Sequence, residues 1–372
     1  MANLKYNLTS LQDKAKERTV KTQSIEYDLE TLVKKIDKNV IKLDPDYQRR
    51  HRWDEKTSSR LIESLILNIP IPTIYISQDV DVDSETIDEE YRYSVIDGQQ
   101  RLTSMYNFLK DKYQLQGLET LDELNGCYHK DLPPFLIRRL EERTVKCLRI
   151  DSTLDAQVKI DIFERLNSGS VKLEPQELRN AVFSGKFNVL CKSLSTNHNF
   201  RILLQIDNDS PDTNNRVRKM EDVEIVLRFF TLINLNYQKY KKTKEKGFTD
   251  FMSERMQELN KSTDDQIANY KAEFEQTIDT ILRDFGTTAF AKYKFEGDKA
   301  KLQSKYNVAV FDALATGCHD LIFNEGILDF KPKNAHFHEL FKTPEFYESV
   351  SGSYLDTNKL KYRIEKTKEI LR

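Results

Sequence analysis

Residues 93–110, YSVIDGQQRLTSMYNFLK, constrain the fold most, because the hydrophobic period changes within them. Residues 93–96 form a short β-type run, and Asp97-Gly98 breaks it. Leu102, Met105, Tyr106 and Leu109 then recur at i, i+3, i+4 and i+7, which predicts an amphipathic helix. The polar cluster Asp97-Gly98-Gln99-Gln100-Arg101 therefore sits where a strand ends and a helix begins. Such a junction leaves first-turn N–H groups unpaired and carries the positive end of the helix dipole, so it suits an anion. Gly98 lets a ligand approach the backbone closely. Arg101 can fork onto a phosphate, and Asp97 can hold Mg2+ or cap the helix. The plainer reading is a capped helix start whose polar residues pair locally. Spacing alone leaves both open.

The rest of the chain sets the scale. A length of 372 residues suggests two domains, or one with a large appendage. Apolar residues make up 38% and charged residues 32%, enough for real cores beneath a highly charged surface. The net charge of −2 means that any nucleic-acid contact must come from local basic patches. Only 11 Gly and 9 Pro argue against long disordered linkers. Cys127, Cys147, Cys191 and Cys318 are scattered without a CxxC pair, so neither a zinc site nor a disulfide framework follows. Residues 1–20 have no apolar core of a signal peptide. No run approaches the roughly 20 apolar residues that span a bilayer. A reduced, cytoplasmic protein is expected.

Along the chain, residues 1–24 hold five Lys/Arg and two acids and read as a basic arm. Strands are expected near 25–29, 40–43, 73–77 and 144–150, with helices around 32–36 and 57–66. Residues 44–56, DPDYQRRHRWDEK, are a second polar concentration. Arg49, Arg50, His51 and Arg52 stand in a row between Tyr47 and Trp53, the single tryptophan. Arginines so close repel one another unless an anion offsets them, and basic groups beside aromatic faces suit phosphate contact with base stacking. The alternative for Trp53 is an anchor plugged into the core. Residues 79–90 carry seven acids in twelve positions and read as an exposed hairpin loop. Residues 73–96 therefore look like a β-hairpin, and residues 111–143 like a linking segment with short helices.

A third knot, FERLNSGS at 163–170, ends a helical stretch, with Gly169 suited to its C-cap. Pro175 then opens another helix, whose residues 176–180, QELRN, form a fourth knot. Strands thin out after about residue 185. Helices are expected over 248–260, 264–285, 305–318 and 355–371, with a buried central helix around Val223, Val226, Leu227, Phe230 and Ile233.

Several chemistries are absent by motif: GxxxxGK[ST], GxGxxG, HExxH and GxSxG do not occur. His336 and His338 alternate but have no ligand pattern around them. Asp46 with Asp54, Glu55 and Lys56 spells a nuclease-like PD…DEK. That chemistry wants its second half on a strand, and here the second half opens a helix. What remains is a set of arginines, amides and carboxylates at element boundaries, the inventory for a nucleotide with a metal.

The order PDYQRRHRW, IESLILNIPIPTIYI, YSVIDGQQRLTSMYNFL and FERLNSGSVKLEPQELRNAV resembles the family that includes the N-terminal part of the GmrSD type IV restriction enzymes. The resemblance covers residues 25–185. DGQQR is intact, while the tract that usually ends Ser-Gly-Gly is Ser168-Gly169-Ser170 here. The resemblance implies an α+β chain. It would have a ParB/sulfiredoxin-like domain with a small mixed sheet over 25–185 and a mainly α-helical domain over 186–372. It implies a nucleoside triphosphate with Mg2+, hydrolysed to regulate an antiviral restriction system that acts on DNA, modified DNA included. Asp97, Gln100, Arg101 and Glu164 are the expected catalytic residues, with Asp97 on the metal and Glu177 an alternative to Glu164 for orienting water. Gly98, Gln99, Arg49, Arg50, Arg165, Asn167 and Ser168 are expected on the nucleotide, and Arg49, Arg50 and Arg52 on DNA. Many relatives carry a C-terminal HNH nuclease, but residues 186–372 show no such cluster, so a nuclease partner protein is expected. The alternatives are a DNA-binding module that does not hydrolyse nucleotide, and a stand-alone nuclease using Asp46, Asp54 and Lys56.

Overall fold

The computed structural model describes residues 21–43, 53–78, 93–150, 162, 165, 174–183, 185–243, 246–328, 330, 334–353 and 355–372. The chain divides into two compact units, residues 1–173 and 174–372. Helix Pro175–Val182, which the sequence groups with the first region, falls in the second unit.

The first unit is built on a five-stranded mixed sheet: β1 (Thr22–Asp28), β2 (Ile41–Lys42), β3 (Ile74–Gln78), β4 (Tyr93–Asp97) and β5 (Thr144–Ile150), in the order β1-β5-β3-β4-β2. The β1/β5 and β3/β4 pairs are antiparallel, and the β3/β5 and β2/β4 pairs are parallel. Among the described residues, helices α1 (Leu29–Asp37), α2 (Glu55–Ile66), α3 (Gln99–Leu109) and α4 (Pro134–Glu141) accompany it.

Local chemistry starts these helices. The Asp28 carboxylate accepts from the Thr31 N–H at 2.6 Å, and the Asp54 carboxylate from the Thr57 N–H at 2.7 Å. Each satisfies a donor that the helix itself cannot. Pro134 opens α4, where its fixed φ suits the first turn. Leu32, Ile62, Leu65, Leu102, Met105 and Phe108 bury against Ile74, Ile76, Val95, Val145 and Cys147. Each such side chain stabilises the fold by roughly 1.5–3 kcal/mol. The segment after α3 is pinned by Glu63 of α2, whose carboxylate accepts from the Thr120 and Leu121 N–H groups at 2.9 and 2.8 Å.

The second unit is mainly helical: α5 (Pro175–Val182), α6 (Lys186–Leu194), α7 (His198–Leu203), α8 (Asn215–Arg218), α9 (Glu221–Leu232), α10 (Phe248–Leu259), α11 (Asp264–Phe285), α12 (Val308–Phe323), α13 (Asn334–Glu339), α14 (Pro344–Ser349) and α15 (Thr357–Leu371). Helix α9 is apolar almost all round and buried, as its stripe predicts. Its Phe229 and Phe230 meet Phe274 of α11 and Phe187 of α6 edge to face or stacked, with centroids 5.0–6.0 Å apart. Two ionic clusters are buried in this apolar interior. Asp312 of α12 accepts from both Arg228 of α9 and Arg363 of α15. His319 faces carboxylates with both ring nitrogens, Asp320 at 3.3 Å and Glu273 at 3.2 Å.

Strands do thin out after residue 185, with one ribbon as the exception. Strands β6 (Lys292–Glu296) and β7 (Lys299–Ser304) form an antiparallel ribbon. Its alternating lysines resemble a solvated helix face, which is why the pattern conceals it. Helix α12 also runs to Phe323, five residues beyond its expected end. Among the described residues no helix is long and apolar enough to cross a membrane.

Candidate functional site

The strand-to-helix junction forms where the sequence predicts it. Strand β4 runs through Asp97, Gly98 is the N-cap, and α3 begins at Gln99. The β3/β4 register shifts at Tyr75/Ile76, because Tyr75 pairs with Asp97 while Ile76 pairs with Val95. Ile96 is the extra residue, and such a bulge resets which face the following side chain takes.

Gly98 has φ +96° and ψ 13°, in the left-handed region. A Cβ here would stand 3.0 Å from Ile74 Cγ1 and 3.3 Å from an Arg101 guanidinium nitrogen. The absent side chain therefore makes room for β3 and Arg101, and not only for a ligand.

Asp97 does not cap the helix, which corrects one of its two expected roles. Its Oδ2 instead accepts from the Arg101 guanidinium at 2.6 Å, one helical turn away. The same guanidinium donates to the carbonyls of Pro72 and of Thr73, the latter at 3.3 Å. With its side chain 11% exposed and three protein acceptors satisfied, Arg101 is a clamp between α3 and the start of β3. This departs from the expected fork onto a phosphate. Asp97 is less enclosed, 30% exposed, and its Oδ1 has no hydrogen-bond partner among the described residues.

No side chain caps the α3 N-terminus, unlike α1 and α2. Gln99 Nε2 is buried there without a hydrogen-bond partner among the described residues. Thr103 Oγ1 and Asn107 Oδ1 follow at four-residue spacing in the same condition, so a stripe of unsatisfied polar atoms runs along α3. Buried polar groups are paired in the great majority of cases, so such a stripe calls for a partner. The Gln100 Oε1 accepts from the Trp53 N–H at 3.4 Å, and the Trp53 ring packs on the core cluster. Trp53 is thus an anchor, the plainer of its two readings.

Strand β2 runs parallel to β4, so both point towards the Asp97 end of the sheet. Leu43 after β2 and Trp53 before α2 bound residues 44–52. Arg49, Arg50 and Arg52 lie outside the described residues, as do Asp46, Glu164, Asn167 and Ser168. Arg165 is helical and exposed. Strand β5 ends at Ile150 beside Ser77, at the sheet end opposite Asp97.

The fourth knot is internal to the second unit. Arg179 pairs with Glu224 at 2.9 Å and Gln176 at 2.8 Å, while Glu177 accepts from the Glu174 N–H at 2.7 Å to cap α5. Glu177 therefore serves as a capping residue in this structure. Asp54 likewise caps α2. The His338 ring packs against Tyr293 in a tilted arrangement, with centroids 4.3 Å apart. Among the described residues no group of three or more His, Cys, Asp or Glu is arranged to hold a metal.

Sequence spacing missed the clamp, because Pro72 and Thr73 stand 29 and 28 residues before Arg101. It also missed the unsatisfied stripe, although the i, i+4, i+8 spacing of Gln99, Thr103 and Asn107 was legible. No curated protein matches the chain. Residues 29–184, which contain the junction and its clamp, match the GmrSD restriction endonuclease N-terminal domain, and the chain carries a domain of that family.

Proposed function

We propose that the first unit is a ParB/sulfiredoxin-like domain that binds and hydrolyses a nucleoside triphosphate with Mg2+. In this reading it is the regulatory component of a restriction system acting on DNA, modified DNA included. One observation carries the reading: the α3 N-terminus without a side-chain cap, beside a Gln99 Nε2 that is buried without a hydrogen-bond partner among the described residues. The N–H groups of Gly98, Gln99 and Gln100 and the helix dipole cradle phosphate. Gln99 Nε2 donates to a phosphate oxygen. Bound Mg2+ would neutralise charge that develops on the transferred phosphoryl group. Asp97 would be its protein ligand through Oδ1, since Arg101 occupies Oδ2. Arg101 is then a positioning residue that fixes the Asp97 carboxylate, and Gln100 orients water. Arg49, Arg50 and Arg52 supply cations to phosphate or DNA, and Glu164, Arg165, Asn167 and Ser168 complete the nucleotide contacts. A nuclease partner protein delivers the cut.

The test is phosphate release from each nucleoside triphosphate in Mg2+, with and without DNA, together with calorimetric nucleotide binding. Wild type should release phosphate. Asp97→Ala should lose release while retaining part of the binding, and Gln99→Ala should weaken binding. Wild type that binds nucleotide but releases no phosphate under any condition would overturn hydrolysis. Wild type that binds none would overturn the site.

A further inference from the structure

The second unit carries a surface whose charge the fold itself does not explain. In the β6–β7 ribbon, Tyr293 pairs with Leu302 and Phe295 with Ala300 on one face. Tyr293 lies 4.3 Å from the His338 ring and 6.0 Å from Phe341, so the Tyr293 side of the ribbon packs on the unit, while Leu302 stays exposed. On the other face Lys294 stands directly opposite Lys301, and Glu296 opposite Lys299. All four are exposed.

Like charges directly opposite on an antiparallel pair destabilise it. Here the single acid on that face, Glu296, reaches Lys301 at 4.0 Å. Lys294 and Lys299 have no carboxylate partner among the described residues. Residues 292–305 hold five lysines and two acids, within a chain of net charge −2. The face is therefore kept basic at some expense in stability, and an anionic partner would offset it.

Shape narrows the partner. A two-stranded ribbon fits the major groove of duplex DNA, about 12 Å wide. Tyr293 and Phe295 alternate with the lysines, so neither ring lies on the Lys294/Lys301 face to stack single-stranded bases or to anchor a protein hot spot. We propose that the β6–β7 ribbon is a duplex-DNA contact, with Lys294, Lys299 and Lys301 on phosphates flanking the groove. The inference goes beyond the nucleotide site and gives the second unit a role of its own.

The experiment measures anisotropy of a labelled duplex against salt with the full chain, wild type and Lys294→Glu/Lys301→Glu. Each lost phosphate contact should lower the log–log salt slope by about 0.9, so the double variant should lose roughly 2 from the slope. Its affinity should fall about tenfold or more at physiological salt. Lys294→Gln/Lys301→Gln should show the same slope change with a smaller affinity loss, which separates charge removal from misfolding. Circular dichroism melts and DNA-free phosphate release should match wild type in both variants, which keeps this result distinct from failure at the Gly98 site. Unchanged affinity and slope would overturn the proposal. So would wild type that does not bind duplex, or wild type that binds single strands or polyglutamate as tightly as duplex.

Discussion

Gly98→Ala tests whether the junction is built around a missing side chain. Two penalties add. An L-residue held in the left-handed region loses roughly 1–2 kcal/mol. The new Cβ would also meet Ile74 Cγ1 at 3.0 Å and both Ile74 Cγ2 and an Arg101 nitrogen at 3.3 Å. Ile74 is fully buried on a strand paired on both sides, so it can yield only by moving β3. Overpacking of this kind usually destabilises by about 1–3 kcal/mol. The sum is roughly 2–5 kcal/mol. Gly126→Ala is the control, because Gly126 has φ +89° in the same unit with nothing within 4 Å of its missing Cβ. It should pay only the conformational penalty. Urea unfolding followed by Trp53 fluorescence is the assay, since the single tryptophan lies in this unit and packs on its core. With a slope of about 2 kcal/mol/M, the variants should differ in midpoint by roughly 0.5–1.5 M, Gly98→Ala unfolding first. Equal midpoints would refute the claim that contact with Ile74, and not φ alone, requires glycine.

Asp312→Ala strips Arg228 and Arg363 of the carboxylate they share in the interior of the second unit. A loss of about 3–5 kcal/mol is expected from breaking a buried ionic cluster, read as a large drop in the circular dichroism melting temperature. An unaltered melt would sink that reading. Burial pushes the His319 imidazole down, but the hydrogen bonds to Asp320 and Glu273 together outweigh it and hold its pKa above the ordinary histidine value. A raised folded pKa gives stability that is complete below about pH 6.5 and is lost as pH rises through the folded value. Lys368 of α15 also faces this cluster, 3.7 Å from Asp320 Oδ2. Wild type should therefore lose stability towards alkaline pH more steeply than His319→Gln, and parallel urea-midpoint profiles would count against the linkage.

What could be read from the sequence follows the range of the interaction. Strand β5 was legible because TVKCLRI alternates, and Val145, Cys147 and Ile150 are indeed the buried positions. The α3 start was legible because the period changes at Gly98. The Asp97–Arg101 pair lies at i, i+4, so the plainer reading of local pairing holds for those two residues. Its other half, a capped helix, fails because Gly98 occupies the N-cap. Interactions across long separations were not legible. Glu63 meets Thr120 and Leu121 from 57 and 58 residues away, and Arg228 meets Asp312 across 84. Nothing in the local pattern marks Glu63 or Arg228 as buried. The ribbon was hidden for a different reason. Its apolar positions, Tyr293, Phe295, Ala300 and Leu302, are diluted by lysines at alternate sites and split by Glu296-Gly297-Asp298.

The geometry of Arg101 redistributes the labour within the DGQQR turn. A guanidinium bonded to Asp97, Pro72 and Thr73 spends its directional donors on protein acceptors. Presenting it to a phosphate would break those bonds and release the entry to β3. On the proposed reading, its positive charge still stabilises a nearby anion, but the direct contacts fall to other groups. In that reading Gln99 takes this part, because its Nε2 is buried without a hydrogen-bond partner among the described residues, at the point where the α3 dipole is most positive. The remaining cations must come from another segment. Arg49, Arg50 and Arg52 belong to the stretch that begins after β2 and ends at Trp53, and the Trp53 N–H already meets Gln100. On the proposed reading the DGQQR turn is half of a site, with donors, a dipole and one oriented carboxylate, and Arg49, Arg50 and Arg52 are the proposed source of the remaining charge.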